Sequence, residues 1–374
     1  MPDYPFGWKV QTMPYYSEKD LVFERAQGGQ ITKHFMNIAQ VWAGSMSQAA
    51  FLDMQEKLAD TKASIGSMTT WILRCRKNLH ALVSSCTTYT RDAITTTGQG
   101  TRPSRVVIIT NVFTIPERRM EGMAKLLLNK LKEELDKGTF GDVEFSVVYG
   151  HAYKDLFQGL GWKPQPATQL SIFLNSKLPE QFRDDVPQVT FLKYIGVKGL
   201  ADQDVNTSKL RLSGHRDGKV HVQILPTELL LAWHMTRSRL IFNHIGPSGM
   251  RDQRYGVISD PPQLRAWISW VHDFDTRRLC ITRIFAVRRD GMEDIVRSLL
   301  MAAVVEASVC GLRQVVIWEP SDQVVRASAV LPDLFCDGVS VSQGERMEMV
   351  PCLRWKGGED KDVVMEESQL YGSS

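Results

Sequence analysis

The residues most suited to chemistry lie in the run Arg118-Arg119-Met120-Glu121-Gly122-Met123-Ala124. Two guanidinium groups stand beside small residues where a helix-forming segment begins. A helix N-terminus presents unpaired N–H groups and the positive end of the helix dipole, which together favour a phosphate. Gly122 and Ala124 let a diphosphate approach the backbone closely, and Arg118 or Arg119 adds charge. The plain alternative is an ordinary strand–turn–helix with a basic surface.

Two elements must position this run. Six β-favouring apolar residues (Val106, Val107, Ile108, Ile109, Val112, Phe113) predict a buried strand. Pro116 has no N–H with which to continue its ladder. After the run, Met123, Leu126, Leu127, Leu131 and Leu135 fall at helical spacing, with Lys125, Lys130, Lys132, Glu133 and Glu134 on the other side.

Bulk properties fit this reading and exclude others. With 374 residues, 43% apolar and 23% charged, the chain has the make-up of a globular protein long enough for two domains. A net charge of +3, from 45 basic and 42 acidic residues, shows no concentrated basic face for nucleic acid. The six cysteines are scattered without a C-x-x-C pair, so neither a zinc site nor a disulfide framework is expected. No signal peptide and no run of 18 apolar residues is visible, which makes the cytoplasm the default location and no membrane partner expected.

Taken in order, Leu21-Val22-Phe23 predicts a first strand. Helices are expected near 30–42 and 47–59, the second capped by Ser47. Strands follow at 69–74 and 80–89, then a small-residue loop over Thr95–Pro103. Past the central strand and helix come a strand at 143–149, a short helix at 151–159 and the turn Leu160-Gly161-Trp162. Beyond 175 the pattern gives a helix within 225–241, helix-like spacing at 261–269, a strand at 279–287, a helix over 291–310 and a strand at 314–318. Trp233-His234 and Trp318-Glu319 are read as core packing, or as the far wall of a cleft between domains. Residues 356–374 are polar and predict a flexible tail; no internal repeat stands out.

The spacing Arg119-x-x-Gly122-x-Ala124 resembles the acyl-CoA signature of the GNAT superfamily. Trp42, Phe51-Leu52, Thr70-Trp71-Ile72-Leu73, Leu82-Val83-Ser84-Ser85-Cys86, Val112-Phe113-Thr114 and Leu160-Gly161-Trp162-Lys163-Pro164 fall in the order found in the fungal lysine N-acetyltransferase (Lyc) family. The resemblance implies an α/β (α+β) fold, with a GNAT-type mixed sheet flanked by helices over 1–172. It also implies a second α/β C-terminal domain over 173–355, before the tail at 356–374. An acyl-CoA, acetyl-CoA by default, would be co-substrate, with no metal and with a small-molecule amine as partner.

The resemblance also assigns roles. Val112 would give its backbone N–H to the oxyanion, with Phe113 and Thr114 pairing the pantetheine arm. Arg118, Arg119, Gly122 and Ala124 would hold the diphosphate. Where the superfamily usually has a tyrosine before the Leu-Gly turn, Phe157 stands, and a phenylalanine has no proton to give. Tyr153, one helical turn earlier, could supply a phenol, and His151 is a candidate general base. Thr87 and His151 stand where the Lyc pattern has carboxylates, which removes partners for an ammonium group. The expected function is acyl-CoA-dependent N-acyl transfer to a lysine-like or other small amine. The alternatives are a GNAT-fold enzyme of a fungal biosynthetic pathway turned to cyclisation or isomerisation, and a scaffold that keeps only the fold.

Overall fold

The computed structural model describes residues 16–150, 154–176, 178, 189–247, 253–260, 266–287, 291–356 and 362–373. Its frame is two sheets with one strand order. In the first sheet β1 (Leu21–Arg25), β2 (Met68–Cys75), β3 (Leu82–Thr97), β4 (Gly100–Thr114) and β5 (Val143–Gly150) lie in sequence. β15 (Val350–Trp355) follows, then β6 (Lys163–Pro164). In the second sheet β8 (Val189–Leu192), β10 (Gly256–Ser259), β11 (Trp267–Asp273), β12 (Arg278–Phe285) and β13 (Gln314–Trp318) lie in sequence. They are followed by β7 (Thr168–Leu174) and β14 (Val339–Glu345).

Each sheet therefore takes its penultimate strand from the other half of the chain. β15 pairs antiparallel with β5 and β6, and β7 pairs antiparallel with β13 and β14. In each sheet the fourth and fifth strands are parallel, β4 with β5 and β12 with β13. A parallel pair needs a crossover. It is supplied by helix α3 (Met123–Lys137) in the first half and by the helix Met292–Val309 in the second.

The central strand shows why these elements sit where they do. Alternate residues of β4 point to opposite faces. Val106 and Ile108 join the core under α1 (Gly29–Trp42) and α2 (Gln48–Ala59), whereas Val107 and Ile109 meet α3. Helix α3 buries Met123, Leu127, Leu128, Leu131 and Leu135. Each such side chain contributes about 1.5–3 kcal/mol. Ser47 caps α2 as expected, its hydroxyl accepting from Ala50 N–H at 3.2 Å. The core beneath α1 and α2 continues into the second half through Trp233, Trp267, Phe285 and Trp318.

Four expectations need correction. Thr95–Pro103 is not a loop, because β3 and β4 pair as far as Thr97 and Gly100. Its hydroxyls cross-link the ribbon, Thr95 to Ser104 at 2.9 Å and Thr96 to Thr101 at 2.7 Å, and β-branched threonine suits a strand. The helix-like spacing at 261–269 gives way to β11 from Trp267, which is buried on both faces and so lacks alternation. Residues 261–265 lie outside the described residues. A boundary after 172 falls inside β7, and β15, placed in the second domain, completes the first sheet.

The fourth is the tail. Val363–Met365 forms β16, parallel to β9 (Val220–Ile224), which itself lines the far end of β3. Tyr371 is buried, its hydroxyl donating to the Ile224 carbonyl at 2.9 Å. One aromatic anchor and a short ladder hold a segment whose composition reads as loose.

Candidate acyl-transfer cleft

β4 and β5 pair only as far as Ile109 and Val148, whereas β15 pairs the other edge of β5 from Phe145 on to Gly150. The two parallel strands thus part at their C-terminal ends, where ligands of open α/β sheets bind. On the other side, the ladder between β4 and β3 skips Asn111 and Val112 opposite Cys86. Asn111 has φ +53°, a bulge conformation that re-aims the strand at the parting point. Phe113 and Thr114 return to the ladder. Ser84 Oγ donates to the Phe113 carbonyl at 2.9 Å and lies 3.0 Å from Thr114 Oγ1.

The loop after β4 leads to α3 through Gly122, whose φ is +77°. A Cβ at Gly122 would touch nothing within 4 Å, so what glycine supplies is the left-handed backbone. The turn leaves Gly122 and Arg119 exposed and Ala124 half-buried on the first turn of α3. Leu126 N–H is the first to close a helical bond, to the Gly122 carbonyl at 2.9 Å. The amides of 122–125 are therefore the four donors that open the helix without an intrahelical partner. Arg119 Nε donates to the Thr114 carbonyl at 3.2 Å, and its guanidinium lies 5.7 Å from the Phe113 ring centre.

Arg118 is different. It is buried, stacked 4.3 Å over Tyr16 and 3.4 Å from the Glu121 carboxylate. Its charge is committed to the protein, so only Arg119 of the pair remains at the loop surface. Phe157, on α4 (Lys154–Gln158), packs against Gly150 so closely that a Cβ there would lie 2.7 Å from its ring. His151 and Tyr153 lie outside the described residues.

The second half offers a control within the same chain. β12 and β13 part after Ile281 and Ile317, and Ile284 stands as far beyond that pair as Val112 stands beyond Ile109. Gly291, with φ +73°, begins the crossover helix as Gly122 begins α3. Here, however, the chain's own C-terminal segment occupies the strand end. Ile284 N–H donates to Gln369 Oε1 at 3.1 Å. Arg283, fully buried, makes two 2.6 Å bonds to Asp204 and one of 2.6 Å to Glu367. Tyr371 lies 5.4 Å from the same guanidinium.

Sequence reasoning missed two polar clusters because both depend on long-range contacts. His34 lies between Ser85 Oγ at 2.8 Å and Thr87 Oγ1 at 3.0 Å, and burial pushes its pKa down to about 3. It is neutral at ordinary pH, so it positions hydroxyls rather than exchanging protons. At the seam between halves, Tyr149, at the end of β5, meets Trp318 and Glu319 at the end of β13. Arg346 stacks 3.8 Å over Trp318 and stands 3.5 Å from Glu319, and among the described residues none of its guanidinium nitrogens has a hydrogen-bond partner. The Tyr149 hydroxyl is buried beside Ser368 and Arg346, and burial pushes its pKa up to about 12. Glu319 accepts from Thr168 N–H at 2.8 Å and Thr168 Oγ1 at 3.1 Å; burial raises its pKa. Trp318 is thus a core residue, and half-buried Glu319 edges this cluster.

A family described as the LYC1 GNAT-like C-terminal domain matches residues 174–372, more than half of the chain. The chain belongs to this LYC1-like GNAT family. A protein of Saccharomyces cerevisiae described as "Uncharacterized protein YGR111W" is 23% identical over 346 residues, covering 81% of this chain and 85% of the relative. Among solved structures, a protein of Enterococcus faecalis V583 described as "Probable N-Acyltransferase" superposes with a TM-score of 0.54. It shares 11% identity, over 90% of this chain and 72% of the other. A GCN5-related N-acetyltransferase from Kribbella flavida gives a TM-score of 0.51 at 14% identity, over 90% and 71%. These likenesses establish a GNAT fold across both halves.

Proposed function

We propose that the first half is an N-acyltransferase that takes acetyl-CoA as donor and a small-molecule amine as acceptor. One observation carries the reading. Of two clefts built alike, the second has its strand-end amide capped by Gln369, while the first opens toward a glycine-led helix start with unpaired amides. In this reading the amides of 122–125 and Arg119 hold the diphosphate. Phe113 and Thr114 flank the pantetheine arm. The Val112 N–H faces the thioester oxygen, where a fixed donor stabilises the tetrahedral oxyanion. The neutral amine attacks the carbonyl carbon, the C–S bond breaks and the thiolate takes a proton. Tyr153 is proposed to supply that proton and His151 to remove the one lost by the amine.

Arg346, paired loosely with Glu319 and without a hydrogen-bond partner among the described residues, suits an anionic group on a lysine-like or other acceptor. All six cysteines are free, which suits a reducing compartment such as the cytoplasm, and no helix of the described residues is long and apolar enough to cross a membrane. The test is to incubate the protein with acetyl-CoA and a cellular amine extract, following free thiol and species that gain one acetyl group by mass spectrometry. Thiol release with one acetylated class, lowered about 100-fold or more by Tyr153→Phe, is expected. Acetyl-CoA left intact in every extract would remove the transferase reading. Unchanged turnover in Tyr153→Phe would remove only that residue's role.

A further inference from the structure

We infer that Asp275, in the turn between β11 and β12 of the second half, is a positioning residue for the acceptor side of the first cleft. The inference rests on the transferase reading, and it gives a task to the half whose own cleft is closed. Ser45, in the loop between α1 and α2, and Asp275 are 230 residues apart in the chain and meet at one carboxylate.

The meeting is built from both sides. Ala43 is right-handed helical and Gly44 left-handed at φ +55°, the pair of conformations that turns neighbouring amides into a concavity for an anion. The Asp275 carboxylate fills it: Ser45 N–H donates to Oδ1 at 2.9 Å, and Ser45 Oγ donates to the same oxygen. A Cβ at Gly44 would overlap this carboxylate, so glycine supplies both the backbone and the room. On the other side Asp273 shapes the turn. It accepts from the amides of Asp275 and Thr276 at 3.1 Å each and from Thr276 Oγ1 at 2.7 Å. Phe274 anchors the turn, its ring 5.5 Å from that of Phe242 and 5.7 Å from that of His272.

The loop matters because of what α1 carries to its end. Trp42, 39% exposed, is the last residue of α1 and meets Phe113 edge-on at 6.3 Å. Phe113 lies past the point where β4 and β5 part, so Trp42 stands beside the open strand ends. Ala43 and Met46 pack against the core that holds Phe113, Tyr149 and Trp318. The same turn also reaches a second wall. Arg278 Nη1 donates to the Glu348 carboxylate at 3.2 Å, and Glu348 belongs to the short link that carries Arg346 into β15. One turn thus braces the loop behind Trp42 on one side and the link bearing Arg346 on the other.

Without the carboxylate the loop is released, and Trp42 with it, while the amides of 122–125 and Arg119 keep their places. The amine should then be held less well in ground and transition state alike, which raises its KM and leaves kcat.

The test uses the full chain carrying fluorotryptophan, with the Trp42 fluorine NMR signal assigned through Trp42→Phe. In Asp275→Ala that signal should shift or broaden, and the calorimetric affinity for acetyl-CoA should stay unchanged. With L-lysine, or the amine that the extract assay identifies in its place, KM should rise about tenfold or more while kcat holds within about twofold. Asp275→Asn keeps Oδ1 as an acceptor and should recover most of the amine KM. Asp275 is exposed, so both variants should fold. An unmoved Trp42 signal, or a moved signal with an unchanged amine KM, would overturn the proposal. A moved signal in a chain that leaves acetyl-CoA intact with every amine would instead remove the transferase reading, and the positioning role with it.

Discussion

The two halves are the same arrangement of strands put to different ends. In the first, a bulge at Asn111 and a left-handed Gly122 lead from parted strands to a helix start with free amides. In the second, the equivalent parting is closed by Gln369, by the Asp204–Arg283–Glu367 ion cluster and by Tyr371. Duplication supplies two clefts, and the C-terminal segment decides that one of them becomes core. The exchange of β7 and β15 ties the halves together, so neither sheet is complete without a strand from the other.

The largest effect should come from the closed cleft. Asp204→Ala leaves Arg283 buried with only Glu367 as anion, and losing one member of a buried ion pair costs about 3–5 kcal/mol. Urea unfolding reads this directly; a loss below about 1 kcal/mol would show that the cluster is not buried as described.

Acid compares the halves through two histidines. Burial lowers the pKa of His34 on α1 to about 3 and that of His234, on the helix Glu228–Ile245, to about 4. The unfolded chain takes up protons near pH 6.5, whereas the native protein does not until the lower value. Stability is therefore complete above about pH 6.5 and falls below it, by about 2 kcal/mol per histidine between pH 7 and 5. His34→Gln and His234→Gln should each flatten the pH dependence of Tm, and an unchanged slope in both would contradict their buried neutral state.

Gln369→Ala leaves the Ile284 N–H without its acceptor and should cost about 1–3 kcal/mol. Its acetyl-CoA affinity should equal that of the unmodified chain. The smallest stability effect separates the halves most cleanly. Gly122→Ala and Gly291→Ala each place a side chain on left-handed backbone, at about 1–2 kcal/mol. Only Gly122→Ala should also weaken acetyl-CoA, by tenfold or more in the dissociation constant. Equal weakening by both would mean that the second cleft binds too.

Local signals in the sequence carried most of the first half. Helix α3 and the strand before it follow from the spacing of Val106–Phe113 and Met123–Leu135, and Gln314–Trp318 is a strand at the bounds expected. The exchanged strands were not legible, because β15 finds its place against β5 some 200 residues earlier, and no local pattern records that pairing. The duplication left a faint trace, Arg288-Arg289-Asp290-Gly291-Met292 beside Arg118-Arg119-Met120-Glu121-Gly122-Met123, too short to separate from chance. The tail misled because its anchors, the β16–β9 ladder, Glu367, Gln369 and Tyr371, all act on residues distant in the chain. In the candidate site, Gly122 and Arg119 were readable from type and spacing. The commitment of Arg118 to Tyr16 and Glu121, and the meeting of Tyr149 with Arg346, exist only in the folded chain.

The most direct test is a calorimetric titration of the full chain with acetyl-CoA, repeated on Arg119→Ala and Arg118→Ala. One molecule should bind per chain, with affinity lost in Arg119→Ala beyond any loss in Arg118→Ala. No heat at millimolar acetyl-CoA, or two equal sites unaffected by Arg119→Ala, would contradict a single open cleft in the first half.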